Sequence, residues 1–179
     1  MRIVVPFTHL ERAVTVALNA TGREYELVDV SGSDSAYWQV LSDLWSAGRS
    51  FAVIEHDVVV HPSVFDEFDD CPRVWCAFPH RYVCGGDAGY YGMGCVRFRA
   101  ELLRDNPNVM HDVAQMANAG HPPKHWCTLD AHLQTVLPRC HVTVPDTRHP
   151  WGEHQETVTR CYHPTVLGHL HQGVSHGCV

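Results

Sequence analysis

Nothing in this sequence is built to cross a membrane. Apolar runs such as residues 51–54 and 58–60 stop after three or four residues, where a span needs about 20. The N-terminal Met-Arg-Ile-Val-Val-Pro holds too short an apolar stretch for a signal peptide, so the expected compartment is cytoplasmic. Basic side chains are few. Thirteen Lys and Arg stand against 20 Asp and Glu, a formal charge of −7, and a protein that tracks nucleic-acid backbone needs the opposite balance. No CxxC pair occurs. The 8 Cys fall short of the roughly 8–10% density of a disulfide scaffold. The nearest pairs, Cys71/Cys76 and Cys76/Cys84, lack zinc-knuckle spacing, and the thiols are expected to be reduced and mostly buried. Internal repeats and low-complexity tracts are absent as well.

What remains is the composition of a globular domain. Apolar residues make up 45% of 179, enough to fill a core, and the length fits one domain at roughly 100–200 residues each. The excess is in His. There are 15, many of them in the last third, which makes charge and metal binding sensitive to pH near about 6.5.

Strand and helix signals alternate from the start. A β-branched run at 2–6 is followed by Leu10, Ala13, Val14, Ala17 and Leu18 at helical spacing, closed by Thr21-Gly22. Residues 25–30 read as a second strand and 31–34 as a turn, with Ser33 or Asp34 to cap the next helix. That helix has Trp38, Leu41, Leu44 and Trp45 on one face and ends at Gly48. Residues 51–54 form an uninterrupted apolar strand, as expected of one covered on both faces. This order implies parallel strands joined by right-handed crossovers. Further on, His61-Pro62-Ser63 starts a short helix to about Phe68, 74–78 and 96–98 read as strands, and 84–94 is a glycine-rich loop or hairpin. A helix through Val109, Met110, Val113 and Met116 takes Asn106 as cap and Pro107 as its first residue. Another carries Trp126, Leu129, Leu133, Val136 and Leu137, ended by Pro138. The last segment, 146–179, is irregular and rich in Pro, Gly and His. The expected fold is α/β: a single three-layer, Rossmann-like domain over 1–179, with a mostly parallel central sheet and an irregular His-rich C-terminal segment.

The most informative stretch is Phe51-Ala52-Val53-Ile54-Glu55-His56-Asp57. A buried strand runs into two carboxylates two residues apart. In extended chain such residues point the same way, so Glu55 and Asp57 are expected to project together from the carboxyl end of a central strand, the edge where open α/β sheets bind ligands. Paired carboxylates repel unless a cation joins them. Hard oxygen ligands of this kind suit Mg²⁺ or Mn²⁺ held together with substrate phosphates. A solvated acidic turn would look the same at this level.

Taken together, these features resemble the nucleotide-binding half of GT-A fold glycosyltransferases, above all the inverting family 2 type. The resemblance rests on Ile3-Val4-Val5-Pro6-Phe7-Thr8 before the first helix. It rests equally on Leu27-Val28-Asp29-Val30-Ser31-Gly32-Ser33-Asp34, and on Ile54-Glu55-His56-Asp57 running through Val60-His61-Pro62 into Phe65-Asp66-Glu67-Phe68. It implies a nucleotide-binding half over 1–70, a donor-sugar and acceptor half over 71–145, and the C-terminal segment. Pro6, Thr8 and Asp29 would hold the nucleobase, Glu55 would face the ribose or a water on the metal, and Asp57 would bind the metal with Glu55 beside it. Pro6 and Thr8 fit an ordinary turn too, and Asp29 a turn or cap residue. Gly92-Met93-Gly94-Cys95-Val96-Arg97-Phe98 resembles the family's donor-sugar segment, which assigns Gly92, Gly94 and Asp87 to the sugar; a hairpin turn accounts for them equally. Asp130, in Trp126-Cys127-Thr128-Leu129-Asp130, matches the place of the catalytic base, although a first-turn carboxylate is favoured by the helix dipole in any case.

The pattern departs from the family in places. Val30 stands where a second Asp is usual, Leu129 where the base is often preceded by an acid, and no Gln-x-x-Arg-Trp signature of processive enzymes occurs. Many GT-A enzymes complete the metal site with a C-terminal His. The candidates are His163, His169 and His171, the last two foremost because they share a side in extended chain, with His149 and His154 around Trp151 as a second cluster. The implied activity is metal-dependent transfer of a sugar from a nucleotide-diphosphate donor, with uridine as the expected base, to a hydroxyl acceptor with inversion. The cofactor is Mn²⁺ or Mg²⁺. Two other readings stay open: a non-catalytic zinc or metal-binding module, and a nucleotidyltransferase-like enzyme. The latter usually has a Gly-rich basic signature after its first strand, which residues 6–10 lack.

Overall fold

Ile3, Val4 and Val5 are all buried, without the alternation of a half-exposed strand, because their strand lies in the middle of a sheet covered on both sides. The computed structural model describes residues 1–77, 93–117 and 120–137. Strand β1 (Arg2–Phe7) pairs in parallel with β2 (Glu26–Asp29) on one side and with β3 (Phe51–Ile54) on the other. Two later strands, β4 (Trp75–Ala77) and β5 (Cys95–Phe98), complete the order β2-β1-β3-β5-β4. Both pairings of β5, to β3 and to β4, are antiparallel. The alternating first half is therefore parallel as its sequence implied. The sheet as a whole is mixed, and its parallel part stops at β3.

Successive residues of a strand face opposite sides, and each side has its own layer of helices. On one, Val4, Phe51, Val53, Trp75, Val96 and Phe98 share a core with α2 (Ala36–Ser46), α4 (Ala100–Asp105), α5 (Val109–Val113) and α6 (Leu129–Val136). On the other, Ile3, Val5, Ala52, Ile54, Cys76 and Cys95 meet α1 (Arg12–Ala20) and α3 (Val64–Asp70). Cys71, Cys76 and Cys95 are buried, as expected. Arg97 is buried among them. Its Nη2 donates to the Cys71 carbonyl at 3.0 Å, tying β5 to the end of α3, and burial pushes the neighbouring Cys76 thiol well above its ordinary pKa. Among the described residues no helix is long and apolar enough to cross a membrane.

The helix ends correct several expectations. Gly22 and Gly48 do close their helices, each with φ in the left-handed region that favours glycine. Neither Ser33 nor Asp34 caps α2 with its side chain. Ser35 holds the cap position without a side-chain bond, and Ser33 supplies only its carbonyl, to the Ala36 N–H at 3.0 Å. Asn106 does not open α5. It closes α4, a helix with no expectation behind it, by donating from Nδ2 to the Leu102 carbonyl at 2.9 Å. Trp126 is not on the apolar face of α6. It begins a separate 3-10 turn, Trp126–Thr128, and is 47% exposed.

Candidate functional site

Parallel strands end on one edge, so β1, β2 and β3 deliver Thr8, Asp29 and Glu55 to the same rim. Strand β5 runs the other way, so its first residues reach that rim. The Glu55 N–H donates to the Gly94 carbonyl at 2.9 Å. Gly94 is thus placed against the acidic pair. Gly92 and Asp87 lie outside the described residues, as do His149, Trp151, His154, His163, His169 and His171.

Strand alternation does not place the acid pair. Strand β3 stops at Ile54. Glu55 to Val58 form a turn closed by the Val58 N–H on the Glu55 carbonyl at 3.0 Å. Glu55 meets Tyr37, on α2. Its hydroxyl donates to Glu55 Oε1 at 2.9 Å. The phenol is pushed well above its ordinary pKa, first by burial, then by the charge and hydrogen bond of Glu55, and further by the charges of Asp130 and Asp57. Glu55 is thus hydrogen-bonded to a buried hydroxyl that also feels the charges of Asp130 and Asp57. Asp57 itself is 5% exposed, which is unusual for a carboxylate. Asp130 stands in the first turn of α6, and two residues on, buried His132 is held toward its neutral form by desolvation.

Tyr37 went unnoticed in the sequence because its neighbours Trp38 and Leu41 define the same apolar face. A buried tyrosine needs a partner for its hydroxyl, which was the available signal, but the partner lies 18 residues away. Tyr37→Phe is expected to cost about 1.5–3 kcal/mol in urea unfolding at pH 7, the range for a hydrogen bond to a charged group. The pH dependence has a definite sign. The folded chain keeps a phenol proton that the unfolded chain releases above pH 10.0, so stability falls as pH rises past that point. Tyr37→Phe flattens this fall, which unfolding midpoints from pH 7 upward will show.

Two nucleotide-site expectations change. Pro6 is inside β1, buried and in register with Val28 rather than in a loop. It sits past the last β1–β3 pair, Val4↔Val53, where its missing N–H costs no ladder bond on that side. Asp29 is exposed but already engaged: its Oδ1 accepts the Ser31 N–H at 2.8 Å, and its pKa is lowered, first by the Ser31 hydroxyl and then by that N–H. Thr8 is exposed just beyond β1.

Among the described residues no three His, Cys, Asp or Glu side chains form a closed metal cage. The donor set at the rim is instead two carboxylates, one of them buried. That set fits a hard divalent cation whose other ligands come from diphosphate and water. A separate cleft of about 500 Å³, lined by Arg2, Leu44, Arg49 and Ser50, opens at the opposite edge, away from these acids.

No family model matches the chain, and no curated protein matches it. Solved structures do. One, described as a glycosyltransferase involved in the glycosylation of the major capsid of PBCV-1, aligns over 96% of this chain and 94% of its own, with a TM-score of 0.52 and 14% identity. The chain has a glycosyltransferase-like fold. At that identity the likeness is one of architecture, and it spans the two molecules almost end to end. A second structure, A197 from STIV, aligns over 74% of this chain and 78% of its own at 12% identity and a TM-score of 0.44.

Proposed function

We propose that this chain is a single-domain, GT-A-type glycosyltransferase that needs Mn²⁺ or Mg²⁺. It moves a sugar from a nucleotide-diphosphate donor, with uridine as the base, to a hydroxyl acceptor. The observation that carries this reading is the placement of Glu55, with Asp57 in the turn after it, at the carboxyl edge of the parallel strands, in a fold shared with a glycosyltransferase.

Each residue has a role in this reading. Asp57 and Glu55 hold the divalent ion, which when bound offsets the charge that collects on the departing diphosphate. Tyr37 fixes one oxygen of Glu55 by its hydrogen bond. Thr8 and Asp29 contact the nucleotide, and Gly92, Gly94 and Asp87 serve the donor sugar. His169 and His171 are candidates to complete the ion's shell. Asp130 takes the proton from the acceptor hydroxyl. That oxygen bonds to the anomeric carbon as the carbon–diphosphate bond breaks, and the electron pair leaves with the diphosphate. Attack opposite the leaving group inverts the centre.

Thermal melting tests the donor half of the reading. Uridine diphosphate with Mn²⁺ is expected to raise Tm by several degrees, with little shift from either alone. Equal stabilisation by Zn²⁺ without nucleotide would count against transfer and for a metal-binding module.

A further inference from the structure

The rings at 121–126 form a continuous shelf just before α6, whose first turn carries Asp130. His121 and His125 lie 4.3 Å apart between ring centroids at 32°, and His125 stacks on Trp126 at 5.5 Å and 28°. Trp126 is 47% exposed, whereas Trp45 and Trp75 are 4% exposed. The shelf is held in place from two sides. The Trp126 N–H donates to the Asp34 carbonyl at 3.1 Å, and His125 Nε2 lies 3.9 Å from Asp34 Oδ2, so the shelf is fastened to the loop that follows β2 on the site's rim. Lys124, the one lysine of the chain, places its ammonium 4.2 Å over the Trp38 ring. It does so with φ at 69°, a conformation that a non-glycine residue keeps only where its surroundings enforce it.

We infer that this shelf is a saccharide subsite, where the sugar ring of the acceptor lies while one of its hydroxyls faces Asp130; the inference rests on the transfer reading above. A pyranose has an apolar face of C–H groups and a rim of hydroxyls. An exposed indole offers the matching flat surface, and the imidazoles and the Asp34 carboxylate around it offer partners for the rim. Burial and the neighbouring His121 lower the pKa of His125, so at neutral pH its ring can both give and accept a hydrogen bond. The position in the chain fits an acceptor better than a donor. The 3-10 turn that begins with Trp126 leads directly into α6, whose first turn carries Asp130. The acceptor is therefore expected to be a glycan rather than a peptide.

The test uses the full chain with ¹⁵N-labelled indoles, titrated with the methyl glycosides of glucose, galactose, mannose, rhamnose, fucose and xylose, and separately with uridine diphosphate. At least one glycoside is expected to move the Trp126 indole signal, assigned through Trp126→Phe. Trp126→Ala is expected to weaken that glycoside by about tenfold or more, and Trp126→Phe by less, since the phenyl ring keeps part of the stacking face. Trp126→Ala binding within about twofold of wild type overturns the subsite, at a precision well below a tenfold step. So does a Trp126 signal that no glycoside moves, or one that uridine diphosphate alone moves. Hydrolysis of a panel of nucleotide-diphosphate sugars by the wild-type chain separates the two readings. Glycoside binding without donor turnover overturns the acceptor role together with the transferase. Donor turnover without glycoside binding overturns the subsite alone.

Discussion

Asp57→Ala is expected to lower turnover of the nucleotide-sugar donor by about a thousandfold, the scale seen when a group that stabilises developing negative charge is removed. Asp57 is 5% exposed, in the turn that follows β3. In the proposed transfer its carboxylate holds the ion against the diphosphate, and its loss removes that interaction as charge develops. Asp57→Asn, which keeps shape and drops charge, is expected to behave alike. Donor hydrolysis and the Mn²⁺-dependent melting shift, measured together, check this. Turnover within about tenfold of wild type, less than 1.4 kcal/mol in barrier, would remove Asp57 from the mechanism.

The largest effect on stability is expected at Phe98. The residue is 1% exposed. Its ring lies 5.1 Å from Phe51, 5.5 Å from Trp45 and 5.9 Å from Trp75, the last nearly parallel at 17°. Phe51 and Trp75 are its cross-strand partners on β3 and β5's other neighbour, β4, while Trp45 comes from α2. Phe98→Ala opens a cavity where strands of both directions and a helix meet, and large aromatic truncations of this kind cost about 3–5 kcal/mol. That is a large share of the roughly 5–15 kcal/mol that holds a domain folded. Val16→Ala is the comparison. Val16 is 60% exposed on α1, and its loss is expected to stay within about 0.5 kcal/mol. Urea unfolding of the two variants decides. A loss below about 1 kcal/mol at Phe98 would mean that β4 and β5 do not unfold together with the rest.

The parallel half of the fold was legible because each element there carries a full period of its own pattern. Residues 51–54 read as a doubly covered strand, and Gly22 and Gly48 mark helix ends by a backbone conformation that few other residues accept. The second half was less legible for physical reasons. Helix α4 has only six residues, too few for apolar positions to repeat over two turns, so Asn106 looked like the start of the next helix. The direction of β5 is not written in its residues. Pairing to β3 and β4 decides it, and those partners are distant in sequence. Trp126 fitted the helical spacing of Leu129 and Leu133, but the Thr128 N–H bonds back to the His125 carbonyl at 3.1 Å. That tighter turn rotates Trp126 off the apolar face. At the site, the acids were visible as residue types, while the buried Tyr37 hydroxyl that meets Glu55 was not.

The reversal of β5 has a consequence for how such a scaffold can diversify. Because β4 points the same way as β3 and β5 points back, Ala77 and Met93 both lie at the rim that carries Glu55. Met93 stands outside the paired rungs of β5, next to the Gly94 carbonyl that accepts from the Glu55 N–H. Its side chain can thus vary without breaking a rung of the ladder, and the change is felt beside Glu55 while the supporting framework stays fixed.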